Sequence, residues 1–250
     1  SHQKSTSWNT HAKWYTAAIQ HPDSFQLQVI MPNLLRMMSI AKTDRIIDIG
    51  CGEGLFDEAF IEEGALSVTG IDNAKDAIEI AREKHIPRTT FIYGDAEDLS
   101  PLENASFDTM TAVLSLQNIK NVDAVMKSAA RILSKKGRIY AVLNHPCFRV
   151  PQSSSWDWTE KKDVQYRRID KYLSEKTIEI DMHPGERQKQ TTLSFHRPLQ
   201  WYSKICSKHG FAITKMEEWI SHREGPKGKT FQALETSRKE IPLFLAMELI

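Results

Sequence analysis

Hydrophobic and polar positions along this chain alternate between strand-like and helix-like periods. Short apolar runs rich in β-branched residues occur at Arg45–Ile49, Ala65–Ile71, Thr89–Tyr93, Phe107–Leu114 and Arg138–Leu143, and each reads as a buried strand. Helical spacing fills the gaps, at Leu55–Ile61, Lys75–Lys84, Asn121–Leu133 and, further on, Leu199–Lys208. Phe211–Ile220 and Ile241–Ile250 read as two closing strands, and Lys135-Lys136-Gly137 and the charged stretch His222–Glu240 as a turn and a loop. Before the first strand, Thr6–Met38 reads as two helices. The second starts at Pro22-Asp23-Ser24, and Pro32 is expected to kink or split it. From Gln152 to Arg197 the pattern leaves the sheet. Ser153–Trp158 is loop-like, while Thr177–Met182 alternates, turns at His183-Pro184-Gly185 and returns through Thr191–Phe195 as a hairpin.

Composition narrows the class. The 250 residues suffice for one α/β domain with an insertion, and 40% hydrophobic with 26% charged residues is ordinary for a globular protein. A net charge of +1 supplies no field favouring nucleic acid or an anionic membrane. Cys51, Cys147 and Cys206 are an odd number and too far apart for a metal knuckle, and the scattered histidines lack metal-ligand spacing. Neither a membrane-length apolar run nor an apolar leader is evident, so a cytoplasmic protein without metal is expected.

The chemistry concentrates where the first strand meets the first following helix, at Asp48-Ile49-Gly50-Cys51-Gly52-Glu53-Gly54. A strand, a tight glycine turn and a helix bring backbone N–H groups close to a ligand, and a Cβ would obstruct both the turn and that approach. A dinucleotide turn wants a small residue at position 55, which is Leu55, and the third glycine comes one residue early at Gly54. Asp48, two residues before the first glycine, suits a ligand bearing an ammonium group.

The spacing D-x-G-x-G-x-G resembles motif I of the class I S-adenosylmethionine-dependent methyltransferases, in the style of the type 11 small-molecule group that includes quinone-pathway enzymes. The resemblance implies a Rossmann-like, seven-stranded, mostly parallel sheet in the order 3-2-1-4-5-7-6, with the last two strands antiparallel. It implies S-adenosyl-L-methionine as cofactor and S-adenosyl-L-homocysteine as product. Asp72, at the end of the second strand, is expected on the ribose hydroxyls; it or Asn73 can also cap the next helix. Gly94-Asp95-Ala96-Glu97-Asp98-Leu99 matches the family's adenine segment, with Asp95 accepting from the exocyclic amine and the Ala96 N–H donating to a ring nitrogen. Asp48, Gly50, Cys51, Gly52, Gly54, Asn73, Leu114 and Ser115 complete the expected cofactor set. Tyr15 reads either as a flap over the cofactor or as helix packing, and Trp14 as packing.

Acceptor-side residues depart from the family pattern. Many relatives carry a His pair where this chain has Gln117-Asn118, and amides orient a substrate without taking its proton. In Asn144–Pro151, His145 reads as a proton acceptor or as a strand-end histidine satisfied by backbone, Arg149 as an anion anchor, and Cys147 as a small buried side chain. His183, His196 and Arg197 are further acceptor-side candidates from the insertion. The basic residues Lys161, Lys162, Arg167, Arg168 and Lys171 are interleaved with Asp157, Glu160, Asp163 and Asp170, which reads as a solvated face and not a nucleic-acid surface. The expected organisation is a helical cap over 1–41 and a methyltransferase domain over 42–250, with a substrate cap at about 145–197. In-line methyl transfer to a small molecule is the leading activity. A methyltransferase acting on RNA or protein, or a non-catalytic cofactor-binding protein, are the alternatives.

Overall fold

The computed structural model describes residues 21–159, 164–181 and 191–250. The first expected helix, with Trp14 and Tyr15, and the insertion turn at His183 lie outside the described residues.

Chain order alternates as the periodicity requires. A π-helical turn (Gln26–Ile30) runs into α1 (Met31–Met38), followed by β1 (Arg45–Ile49), α2 (Leu55–Glu62), β2 (Ser67–Asp72), α3 (Lys75–Glu83), β3 (Thr89–Tyr93) and β4 (Phe107–Val113). A 3₁₀ turn (Leu116–Asn118), α4 (Val122–Ile132) and β5 (Leu133–Asn144) come next. Two hairpins follow, β6 (Ser154–Trp158) with β7 (Gln165–Ile169) and β8 (Lys176–Asp181) with β9 (Thr191–His196). The chain closes through α5 (Leu199–Lys208), β10 (Ile213–Trp219), α6 (Phe231–Glu240) and β11 (Phe244–Leu249).

Seven strands form one sheet in the order β3-β2-β1-β4-β5-β11-β10. The first five are parallel, and β11 runs antiparallel to both of its neighbours. With β10 and β11 as the sixth and seventh strands, this is the expected 3-2-1-4-5-7-6, a Rossmann-like sheet. The side-chain period of two divides the core between its faces. On β5, Ile139, Ala141 and Leu143 join the layer under α4 and α5, while Tyr140 and Val142 join the layer under α1 and α2.

Three local expectations are corrected. Lys135-Lys136-Gly137 is not a turn but an irregularity inside β5, where register passes from Phe107↔Leu133 to Thr109↔Arg138 and the extra residues bulge out. Ser154–Trp158 is a strand and not a loop, because Ser154, Trp156 and Trp158 alternate against Ile169, Arg167 and Gln165 of β7. The stretch His222–Glu240 contains α6, whose Ser237 hydroxyl donates to Gln165 Oε1 on β7 at 2.6 Å. Pro32 acts as expected. It sits in the first turn of α1, and the chain before it widens into a π-turn in which the Met31 N–H reaches Gln26 O.

The loops after β1 to β5 and β10, and the loop entering β11, emerge on one edge of the sheet, since Asn144 pairs with Phe244 and Phe244 with Trp219. In an open parallel sheet the ligand crevice lies outside the carboxyl ends of the strands, at this edge. Both hairpins belong to the connection from β5 to α5, so they start and end there too. Among the described residues no helix is long and apolar enough to cross a membrane.

Candidate functional site

The glycine turn is fixed from below by β2. The Gly50 and Cys51 N–H groups both donate to Ile71 O, at 2.8 and 3.2 Å, and Gly54 N–H closes the turn onto Cys51 O. Gly50, Gly52 and Gly54 all have positive φ (75°, 55° and 75°). A Cβ on Gly50 would come within 2.5 Å of Ser115 Cβ, so that glycine permits close approach of β4's end. A Cβ on Gly52 would meet nothing within 4 Å, so this turn residue faces open space that a ligand can enter.

Asp72 stands at the opposite wall. Its Oδ2 accepts from Gly52 N–H at 2.9 Å and its Oδ1 from Ala74 N–H at 2.8 Å. The carboxylate thus ties the turn to the residue that opens α3; that residue, Ala74, is itself the N-cap and carries no side-chain cap, so the capping expected of Asp72 or Asn73 is replaced by this brace. A carboxylate has about four lone-pair positions, so capacity for ribose hydroxyls remains. Burial raises its pKa, opposed by the backbone donors. Asn73 is exposed beside it.

Two further carboxyl groups lie beneath the turn. Asp48 on β1 is 2% exposed, and its Oδ1 accepts from the Thr111 hydroxyl of β4 at 2.5 Å. Asp57, in the first turn of α2, is fully buried, and neither of its oxygens finds a donor hydrogen among the described residues. Burial raises the Asp48 carboxyl to about 7, with Asp72 adding repulsion, and drives Asp57 up well beyond the ordinary range, with Asp48 adding to it. The two acids sit close enough to share a proton. Cys51, buried against the same acids, keeps its thiol protonated, since burial and their charge raise its pKa well above normal. Asp57 and Thr111 were absent from the sequence-level candidates. A signal existed for Asp57: it shares a helical stripe with the buried Phe60 and Ile61.

Asp95 and Ala96 follow β3 at the same edge. Asp95 is exposed, with its Oδ1 accepting from Glu97 N–H at 2.9 Å, and Ala96 packs against the core. Beyond β4, Leu114 takes a left-handed conformation (φ 54°), uncommon for a non-glycine residue and a form of local strain met at ligand sites. The Ser115 hydroxyl is buried with no partner among the described residues. Gln117 Oε1 accepts from Asn144 N–H at 3.2 Å, and Asn118 Nδ2 donates to Leu114 O, so each amide keeps one polar end unengaged.

The acceptor-side candidates divide. His145 is 2% exposed; its Nδ1 accepts from Cys147 N–H at 3.2 Å, so Nε2 carries the hydrogen and donates to Glu218 at 2.7 Å. Burial lowers its pKa against the pull of Glu218. With both ring nitrogens engaged, His145 pins the end of β5 to β10 and has no free nitrogen for a substrate proton. His196 is likewise buried, with Nε2 on Tyr172 O at 2.7 Å. Arg197 is buried between the rings of Phe195 and Trp201 and donates to the carbonyls of Leu116, Ile119 and Lys120. Arg197 fastens the insertion to the turn after β4, while His196 ties β9 to Tyr172 within the insertion, so these groups are spent on backbone carbonyls and not on an acceptor. Cys147 contacts Tyr172 Oη at 3.3 Å. Arg149 alone of this group keeps a half-buried side chain without such an engagement.

An open glycine turn, a bracing carboxylate with spare lone pairs and a buried hydroxyl without a partner among the described residues thus line one edge of the sheet. Residues 47–141 match the family model described as a methyltransferase domain. A solved S-adenosylmethionine-dependent methyltransferase from Mesorhizobium loti is 25% identical, covers 87% of this chain and 95% of its own, and superposes with a TM-score of 0.70. An uncharacterised Haemophilus influenzae protein is 24% identical over 79% of each chain. A ubiquinone biosynthesis O-methyltransferase from Idiomarina loihiensis is 33% identical over 38% of this chain and 40% of its own length, so the chain spans about two fifths of that relative. Residues 47–141 thus carry a methyltransferase domain, the chain is similar in sequence and fold to S-adenosylmethionine-dependent methyltransferases of class I, and S-adenosylmethionine is its cofactor.

Proposed function

We propose that this methyltransferase moves the methyl group to a small-molecule acceptor held between the glycine turn and the insertion. When bound, S-adenosylmethionine supplies an electrophilic methyl on a sulfonium, open to in-line displacement by an acceptor nucleophile. On this reading Asp72 takes the ribose hydroxyls, Asp95 and the Ala96 N–H take adenine, and the open face of Gly52 admits the amino-acid portion of the cofactor. Leu114, Ser115 and the free amide ends of Gln117 and Asn118 align the two reactants. The protein's contribution is then proximity, orientation and exclusion of water. No proton acceptor is assigned to His145, because its ring is engaged on both sides.

The observation that carries a small acceptor is the seating of the insertion. Arg197 holds it to the turn after β4, at the carboxyl edge, and on this reading it stands over the crevice and obstructs a long polymer. The Idiomarina loihiensis relative is named for ubiquinone biosynthesis, which agrees in kind. The test is incubation with methyl-labelled S-adenosylmethionine and fractionated cell extract. Label is expected in the low-mass fraction. Label confined to precipitated RNA or protein would replace this reading with the corresponding polymer.

A further inference from the structure

Two arginines lie at the root of the insertion without a counter-charge among the described residues. Arg149 lies five residues beyond the end of β5, in a turn whose Phe148 and Arg149 N–H groups both bond to His145 O, at 3.3 and 2.8 Å. Its guanidinium is half-buried and makes no ion pair or hydrogen bond among the described residues. Other arginines behave differently: Arg45 pairs with Asp108, Arg36 with Glu217, and Arg131 and Arg197 bond to carbonyls. Arg167 on β7 is bonded to Phe148, the residue before Arg149, and burial first, then the like charge of Arg167, lower the Arg149 pKa.

Arg167 is held rigidly. Its Nε donates to Phe148 O at 2.9 Å, its Nη2 to Ser154 Oγ at 2.7 Å, and its guanidinium lies 5.2 Å from the Trp156 ring centre. Neither arginine has a carboxylate within ion-pair distance among the described residues. A third cation, Lys176, bonds to Ser153 Oγ at the same root. Like charges drawn partly out of water with no counter-ion raise the free energy of the empty protein, and such arrangements are offset when a bound anion supplies the missing partner. Arginine presents a planar fork suited to carboxylate or phosphate oxygens. Trp156, 37% exposed, offers an aromatic wall beside it.

We infer that Arg149 and Arg167 form an oxyanion subsite, so that the acceptor of the methyl transfer proposed above carries a carboxylate or phosphate group. The identification of this group as part of the acceptor rests on that reading; the anion site itself can be tested without turnover.

The experiment is thermal shift of the full chain saturated with S-adenosylhomocysteine, titrated with inorganic phosphate and separately with benzoate at constant ionic strength. Saturable stabilisation by at least one anion is expected, weakened about tenfold or more in Arg149→Met, with S-adenosylhomocysteine affinity unchanged. Ligand-free Arg149→Met should melt at or above the wild-type temperature, whereas loss of a merely structural arginine would lower it. Arg149→Lys, which keeps the charge but loses the fork, serves as the second variant and should bind the anion more weakly than wild type. Saturation by phosphate alone assigns a phosphoryl acceptor, and by benzoate alone a carboxylate. No saturable response in the wild type, or a response in Arg149→Met and Arg149→Lys equal to that of the wild type, overturns the subsite. Absence of S-adenosylhomocysteine binding would instead overturn the cofactor reading, so the two failures are distinguishable.

Discussion

The Gly52 N–H donates to Asp72 Oδ2 at 2.9 Å, so the carboxylate proposed for the ribose is also the brace of the glycine turn. Asp72→Ala should therefore lower S-adenosylhomocysteine affinity by roughly ten- to a hundredfold, the loss of about 1.5–3 kcal/mol from a charged acceptor. Asp72→Asn keeps one acceptor oxygen but turns an amide NH₂ toward a backbone donor, so it should not restore the affinity. Calorimetric titration decides this, and unchanged affinity in a folded Asp72→Ala protein would remove the ribose role.

Gly50 and Gly52 should respond oppositely to the same substitution. Gly50→Ala drives a Cβ to within 2.5 Å of Ser115 Cβ and should unfold or severely destabilise the protein. Gly52→Ala meets open space, so its folding cost is limited to the left-handed backbone, about 1–2 kcal/mol. The new methyl would occupy the ligand's approach, however, and S-adenosylhomocysteine binding should be lost. Denaturant melts paired with binding titrations separate the two effects.

The buried acids predict an unusual pH profile. The folded Asp48 carboxyl titrates at about 7 against an ordinary 3.8, and Asp57 is shifted in the same direction. Between those pH values the folded protein keeps a proton that the unfolded chain releases. Stability of the ligand-free protein should consequently fall as pH rises from about 4 to 7, by roughly 1.4 kcal/mol per pH unit for each such group. Asp57→Asn removes one acid and supplies Asp48 with a neutral donor, so it should flatten this slope and raise the melting temperature at pH 8. An unaltered slope in that variant would contradict the shared-proton arrangement.

Substituting His145 should cost stability and not chemistry. His145→Ala leaves a cavity beside Phe148 and frees Cys147 N–H and Glu218, with an expected loss of about 2–4 kcal/mol. At a temperature where the variant is folded, the pH dependence of kcat should match the wild type. A basic limb that disappears with His145 would show that the ring takes a proton during turnover.

The sequence by itself determined the sheet and the cofactor edge, because both depend on local patterns. Strand and helix periods around Arg45–Ile49, Leu55–Ile61 and Phe107–Val113 set the alternation, and three glycines seven residues or fewer from Asp48 identified the turn without reference to distant parts of the chain. The antiparallel close of β10 and β11 came from the family resemblance. Tertiary structure alone decided the acceptor side. Whether a histidine or arginine faces a substrate or a carbonyl depends on which distant segment meets it. His145 finds Glu218, 73 residues on, and Arg197 finds the turn at Leu116–Lys120, about 80 residues back. The same holds for Asp57, whose burial against Asp48 follows from packing α2 onto β1 and β2. Ser154–Trp158 became a strand through its partner β7, and α6 lies where glycine and charge had suggested a loop, since a hairpin ladder and a packed helix face outweigh weak local propensity. Arg149 was legible as an anion anchor from its residue type. Only the fold left its guanidinium half-buried near Arg167, without a partner among the described residues.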